Sequence, residues 1–235
     1  MDIHIIMRTN QDTKALAQLR LMQLVSPSLP IGAFTYSQGL EYAVETGWVN
    51  DVDTLQDWLS GLLLDGMTYV EVPIIQRTYA AIEAKDDQAL TYWNHYLLAT
   101  RESREIRQEE KQRAQALTRL LPQLDVYYSD AMSEAMSTSQ IAPYTLAAVT
   151  WGISLQDAAQ GYVWSWLENQ VAAAIKLVPL GQTQGQQVEY RLAEQVPPAI
   201  ALGLSLDDDQ IGASAPALGI ASSLHETQYS RLFRS

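Results

Sequence analysis

Residues 155–177 read LQDAAQGYVWSWLENQVAAAIKL, and this stretch decides the fold. Ala159, Tyr162, Trp166 and Ala173 belong to a broad apolar face at helical spacing. The run Ala172–Ala174 lets neighbouring helices come close, while Trp164 and Trp166 fill the gaps between them. Lys176 falls at the end that carries the negative pole of the helix dipole. A helix with this pattern needs other helices to cover it.

The flanking sequence supplies them. From Thr13 to Val25, Leu16, Leu19, Leu21, Met22 and Leu24 keep helical spacing until Pro27 and Pro30 stop the helix. Tyr36–Thr46 reads as a short helix ending at Gly47. Asp51 or Asp53 caps the next, which holds Leu55, Trp58, Leu59, Leu62 and Leu63. Pro73 interrupts or kinks the segment after it, which resumes as a helix through Tyr79 and Ile82. Asp86 or Asp87 caps a helix with Leu90, Trp93, Tyr96 and Leu97 on one side, and Ser103–Leu121 is a charged helix stopping before Pro122. A weak helix runs from Ser129 to about Ile141, and Pro143 suits a helix first turn. Beyond Pro179 and Gly181, Gln182–Leu206 reads as one helix kinked at Pro197-Pro198, with Asp207–Asp209 a turn. Val188–Leu192 is the one weak strand candidate. The expectation is an all-α, single-domain bundle of roughly eight to ten helices. Residues 1–12 would be a flexible leader, 13–224 the helical domain and 225–235 a separate tail.

Composition narrows the function. The chain has 235 residues and a net charge of −12, which argues against nucleic acid as the main partner. With no cysteine there is no disulfide, thiolate metal site or cysteine nucleophile. Residues 1–12 lack the basic start and apolar core of a signal peptide. The most apolar segment, Ile141–Leu155, is too short to span a bilayer. A soluble cytoplasmic protein is expected. There is no phosphate-binding Gly-x-x-x-x-Gly-Lys-Ser/Thr loop, no Gly-x-Gly-x-x-Gly and no Gly-x-Ser-x-Gly. His4, His95 and His225 are far apart along the chain, so no metal site is expected, and His225 reads as an ordinary surface histidine.

The last eleven residues, His225–Ser235, are rich in interface types. Tyr229, Leu232 and Phe233 alternate with Arg231 and Arg234, and aromatic and arginine side chains dominate binding energy when buried between proteins. Such a tail is either docked on its own domain or kept for a partner. The run Arg101–Arg113 alternates in sign, with Arg101 and Glu105, and Glu109 and Arg113, four apart. It reads first as a solvated helix, and otherwise as a charged docking surface.

The ending resembles the C-terminus of urease accessory proteins of the UreF type. Three other stretches agree: Ser26–Glu41 (SPSLPIGAFTYSQGLE), Arg101–Glu105 with its charged continuation, and Trp164–Gln182 through Asn169 and Leu177–Gln182. In the first of these, Phe34 and Tyr36 are expected to be core anchors. The resemblance implies a non-enzymatic assembly factor for urease. It would act with the UreD (UreH) scaffold, the UreG GTPase and apo-urease subunits to assist nickel insertion. Nickel would be delivered by the complex and GTP held by UreG, with no cofactor bound tightly by this chain. The resemblance also implies a homodimer, and docking of the scaffold by Tyr229, Arg231, Leu232, Phe233 and Arg234. The other reading is an all-α enzyme whose carboxylates and tyrosines form an active site between helices.

Overall fold

A computed structural model describes residues 10–213 and 215–235. Twelve α-helices run through them, and no described residue forms a strand. In the first half they are α1 (Asn10–Leu24), α2 (Leu40–Glu45), α3 (Val52–Gly61), α4 (Glu71–Ala84), α5 (Asp87–Ala99) and α6 (Arg104–Leu120). The second half holds α7 (Ser133–Thr138), α8 (Ile141–Thr150), α9 (Leu155–Leu177), α10 (Gln182–Ala193), α11 (Val196–Gly203) and α12 (Pro216–His225). Two of them, α2 and α7, span six residues each, so the longer helices number ten, the upper end of the expected range.

Helix α9 has the bounds its pattern predicts and lies at the centre, packed against α1, α2, α4, α8, α10 and α11. Tyr162, Val163, Trp166, Leu167, Val171, Ala173 and Ala174 are buried along it. At Gly161 a Cβ would sit 2.7 Å from the Leu21 side chain and 3.0 Å from that of Val25, so the glycine admits α1. Each large apolar side chain removed from water here contributes about 1.5–3 kcal/mol. Helix α8 is apolar on nearly every side, and Ile141–Ala148 is wholly buried beneath α4 and α6.

The termini of the helices follow their capping chemistry. Of the paired candidates, Asp51 caps α3 and Asp86 caps α5, accepting from the Thr54 and Ala89 amides at 2.8 and 2.9 Å. Ser103 and Ser154 do the same for α6 and α9. Pro73 falls in the first turn of α4 and neither interrupts nor kinks it. A π-helical turn, Leu62–Met67, precedes it.

Several expectations are corrected. Gln182–Leu206 is two helices, α10 and α11, because Pro197 and Pro198 suit the first turn of a new helix better than a kink inside an old one. Val188–Leu192 is helical: its apolar residues Val188 and Leu192 are four apart and both buried. The region after Ser129 is a 3-10 turn, Asp130–Met132, followed by α7. Of the expected leader, residues 1–9 lie outside the described residues, and Asn10–Asp12 open α1. No helix among the described residues is long and apolar enough to cross a membrane.

Candidate functional site: the seat of the C-terminal segment

The stretch 26–41 forms the corner between α1 and α2. Leu29 and Ile31 turn inward, and Gly32 takes the left-handed conformation (φ 75°) that leads into a 3-10 turn at Ala33–Thr35. Tyr36 is buried and its hydroxyl donates to Gln112 at 2.6 Å. Phe34 is 59 % exposed, contrary to the expected pair of core anchors: it lies on the 3-10 turn, which buries none of its residues. Gln38 (φ 53°) and Gly39 (φ 81°) are both left-handed, which swings the chain into α2. A Cβ on Gly39 would lie 3.0 Å from the Ser222 amide nitrogen, so this glycine lets α12 rest on α2.

The corner receives the tail. The Thr35 carbonyl accepts from the Arg234 amide at 2.9 Å. The Ser37 amide, the Gln38 amide and the Ser37 hydroxyl all donate to the Ser235 main-chain oxygen, at 2.5, 3.0 and 2.7 Å. The Glu41 carboxylate accepts from the Leu232 and Phe233 amides at 2.5 and 2.9 Å. Arg231 donates to Glu105 at 2.6 Å, and the Ser235 hydroxyl donates to Glu109 at 3.1 Å. The Phe233 ring is 6 % exposed, with the Lys176 ammonium 5.5 Å from its centre.

His225 sits beneath this network with no exposure at all. Its Nδ1 lies 2.7 Å from Glu105 and its Nε2 3.1 Å from Glu41. The expected surface histidine is therefore a buried one, because α12 lays its last turn between α2 and α6. The two carboxylates grip opposite nitrogens of the ring and share no point at ligand distance from all three. No group of three or more such side chains among the described residues could hold a metal. His95 pairs with Glu134 elsewhere, and His4 lies outside the described residues.

Helix α6 departs from a solvated helix in the same way. Glu105, Glu109 and Glu110 are buried. Glu109 does pair with Arg113, at 2.8 Å, but Arg101 turns to Glu71 and Glu110, at 2.8 and 2.6 Å, instead of Glu105. Burial opposes the charge on Arg101, yet Glu71 and Glu110 outweigh it and hold the guanidinium charged. Burial, reinforced by Glu110, drives the Glu109 carboxyl above the ordinary glutamate value although Arg113 and Gln38 pull it down. Gln38 joins the parts: it donates to Glu109 at 2.8 Å and accepts from Trp166 at 2.9 Å.

A cavity of about 80 Å³ lies beside this seat, with Glu71, Arg101, Glu110, Arg113, Tyr144 and Tyr162 on its polar wall. It does bring carboxylates and tyrosines together between helices. Both carboxylates are engaged by Arg101, and the Tyr144 hydroxyl donates to the Ala158 carbonyl at 2.7 Å. Burial raises the pKa of both tyrosine hydroxyls, so they stay protonated. These groups tie α4, α6, α8 and α9 together.

The tail thus has two sides. Phe233 and the main chain of residues 232–235 are fastened down, while Tyr229 is fully exposed and Leu232 is 64 % exposed. Arg231 and Arg234 are also at the surface. Composition singles out these five residues but does not separate the fastened side from the free one. Glu41 and Glu105, which hold the tail, escape sequence reasoning, though both lie in distinctive stretches; an apolar tail preceded by one histidine is the signal that points to them.

Fold and site together define an all-α domain closed by its own C-terminal segment, with the four distinctive stretches of sequence meeting at one place. The family model described as UreF matches residues 49–193. A urease accessory protein UreF from Alcanivorax borkumensis is 50 % identical over 225 residues, covering 93 % of this chain and 98 % of that protein. Proteins of the same name from Alkalilimnicola ehrlichii and Chromohalobacter salexigens are 48 % and 49 % identical, over 97 % and 94 % of this chain and 100 % and 95 % of theirs. The chain belongs to the UreF family.

Proposed function

We propose that the chain is an accessory protein for urease maturation. It assists nickel insertion into apo-urease as part of a complex with a UreD/UreH-type scaffold and a UreG-type GTPase. It works as a non-enzymatic cytoplasmic homodimer, with nickel carried by the complex and GTP by the partner. The naming of relatives nearly half identical over almost their whole length supports the role. The observation that carries the docking surface is the two-sided tail. Its underside is held by Glu41, Glu105 and the 35–38 backbone, so Tyr229 and Leu232 are presented in a fixed place, with Arg231 and Arg234 beside them. A partner that covers them does not have to supply the ordering cost of the segment.

Deleting the gene in a urease-positive host should abolish urease activity without added nickel; normal activity without supplement removes the reading. At residue level, Tyr229→Ala with Leu232→Ala should weaken scaffold binding by about 2–4 kcal/mol. Retained pull-down of the scaffold by the double variant removes these residues from the interface.

A further inference from the structure

We infer that His225 is a proton-operated latch: the tail stays on its seat while a proton lies on each of the two contacts between the imidazole and Glu41 and Glu105, and it lifts when one is lost. This goes beyond the accessory role and does not depend on the identity of any partner.

The geometry carries the inference. Both ring nitrogens are within hydrogen-bond distance of a carboxylate oxygen, at 2.7 and 3.1 Å, in a place with no access to water. A neutral imidazole has one N–H and one lone pair. With a single proton on the ring, one nitrogen would present its lone pair to a carboxylate oxygen, two acceptors face to face. The arrangement is fully bonded only when both N···O lines hold a proton, as an imidazolium between two carboxylates supplies.

The same carboxylates hold the tail. Glu41 accepts the Leu232 and Phe233 amides, and Glu105 accepts Arg231. The charged groups facing His225 are Glu41 from α2, Glu105 from α6 and, through Glu105, Arg231 from the tail. Glu226, next to the histidine, accepts from the Arg104 and Glu105 amides and caps α6. Glu109, a turn further along α6, is engaged by Arg113, Gln38 and Ser235, and Lys176 of α9 faces Phe233 from the other side. Counting only Glu41, Glu105, Arg231 and the ring, loss of the shared proton leaves two carboxylates against one cation. Those carboxylates then repel one another across a deprotonated ring, and as they move apart they loosen the bonds through which they hold residues 231–233.

Linkage gives the sign. A docked tail that retains a proton the free tail gives up is favoured at low pH, and its docking equilibrium falls about tenfold per pH unit over the range in which the free tail has released the proton and the docked tail has not.

The test measures amide hydrogen exchange of Leu232 and Phe233 in the whole chain, from about pH 6 to about pH 9, corrected for the intrinsic pH dependence of exchange. Ring nitrogen shifts of His225 are recorded in parallel by NMR. The expected result is protection that falls at least tenfold with rising pH and levels off where the docked ring itself gives up its proton, with residues 155–177 unchanged. His225→Gln should remove the pH dependence of that protection. The latch is overturned if protection is the same across the range, if it goes on falling after the docked ring has lost its proton, or if His225→Gln retains the dependence of the parent. Should the variant fail to fold, the paired readings on the parent decide alone.

Discussion

The tail seat and the α9 core are equally buried, yet they are held in opposite ways. In the core, Leu97 of α5 and Leu167 and Val171 of α9 have no exposure and owe their place to apolar area removed from water, which is non-directional. At the seat, Glu41, Glu105 and Glu109 are nearly as deep, and every oxygen that matters faces a specific donor. The first kind of burial is sensitive to volume and forgiving of chemistry. The second is the reverse, because a buried polar group that loses its partner keeps the whole cost of leaving water.

The comparison breaks most sharply at Glu41. Glu41→Gln keeps size and shape but turns an amide NH₂ toward amide donors and the imidazole. It should cost about 3–5 kcal/mol of tail docking, read as loss of protection at Leu232 and Phe233. In the core, Leu97→Ala should cost about 2–5 kcal/mol in denaturant melts, while Leu97→Met, which conserves volume, should cost under about 1.5 kcal/mol. If the isosteric change at the seat is tolerated as well as the one in the core, the contrast fails.

A pH series sharpens it further. The folded carboxyl of Glu109 is raised by burial, so the fold favours its protonated form. Its stabilising contribution is complete below the ordinary glutamate pKa and is lost as pH rises through the raised folded value. Glu109→Gln should therefore flatten the fall in stability over that window, measured by urea midpoints at several pH values; an unchanged slope assigns the fall elsewhere. The smallest effect is expected at Leu232. Because it is 64 % exposed, Leu232→Ala should alter stability by no more than about 0.5 kcal/mol, whereas Phe233→Ala, buried one residue away, should cost about 3 kcal/mol or more. Equal melting of the two variants would erase the distinction between the free and fastened sides of the tail.

The sequence displays one of these two kinds of burial better than the other. The spacing of Tyr162, Trp166 and Ala173 locates α9 to the residue, and Ser103 marks a helix start, because periodicity and capping are local properties. The seat depends on pairings such as Ser37 with Ser235, 198 residues apart, which no local pattern encodes. Charges on α6 read as solvated for that reason: Glu105 and Glu109 become interior only when α2, α12 and the tail arrive to cover them. Phe34 and His225 fail together, one outside and one inside, since turn geometry and helix docking, and not hydrophobicity, decide where each points.

The span of these bonds also imposes an order in time. Glu41 leaves the ribosome well before the amide of Leu232, 191 residues later, can reach it. At ordinary synthesis rates that interval is roughly ten to forty seconds. The α4–α8–α9 core can gather during this time, but the seat cannot close, and residues 35–41 must wait with their donors and acceptors turned to water. A surface built on Tyr229 and Leu232 therefore exists only on chains carried through residue 235. Any partner that reads it is reading a chain in which residues 35–41 and 231–235 have already met, and products cut short before that segment would be passed over without a separate mechanism to reject them.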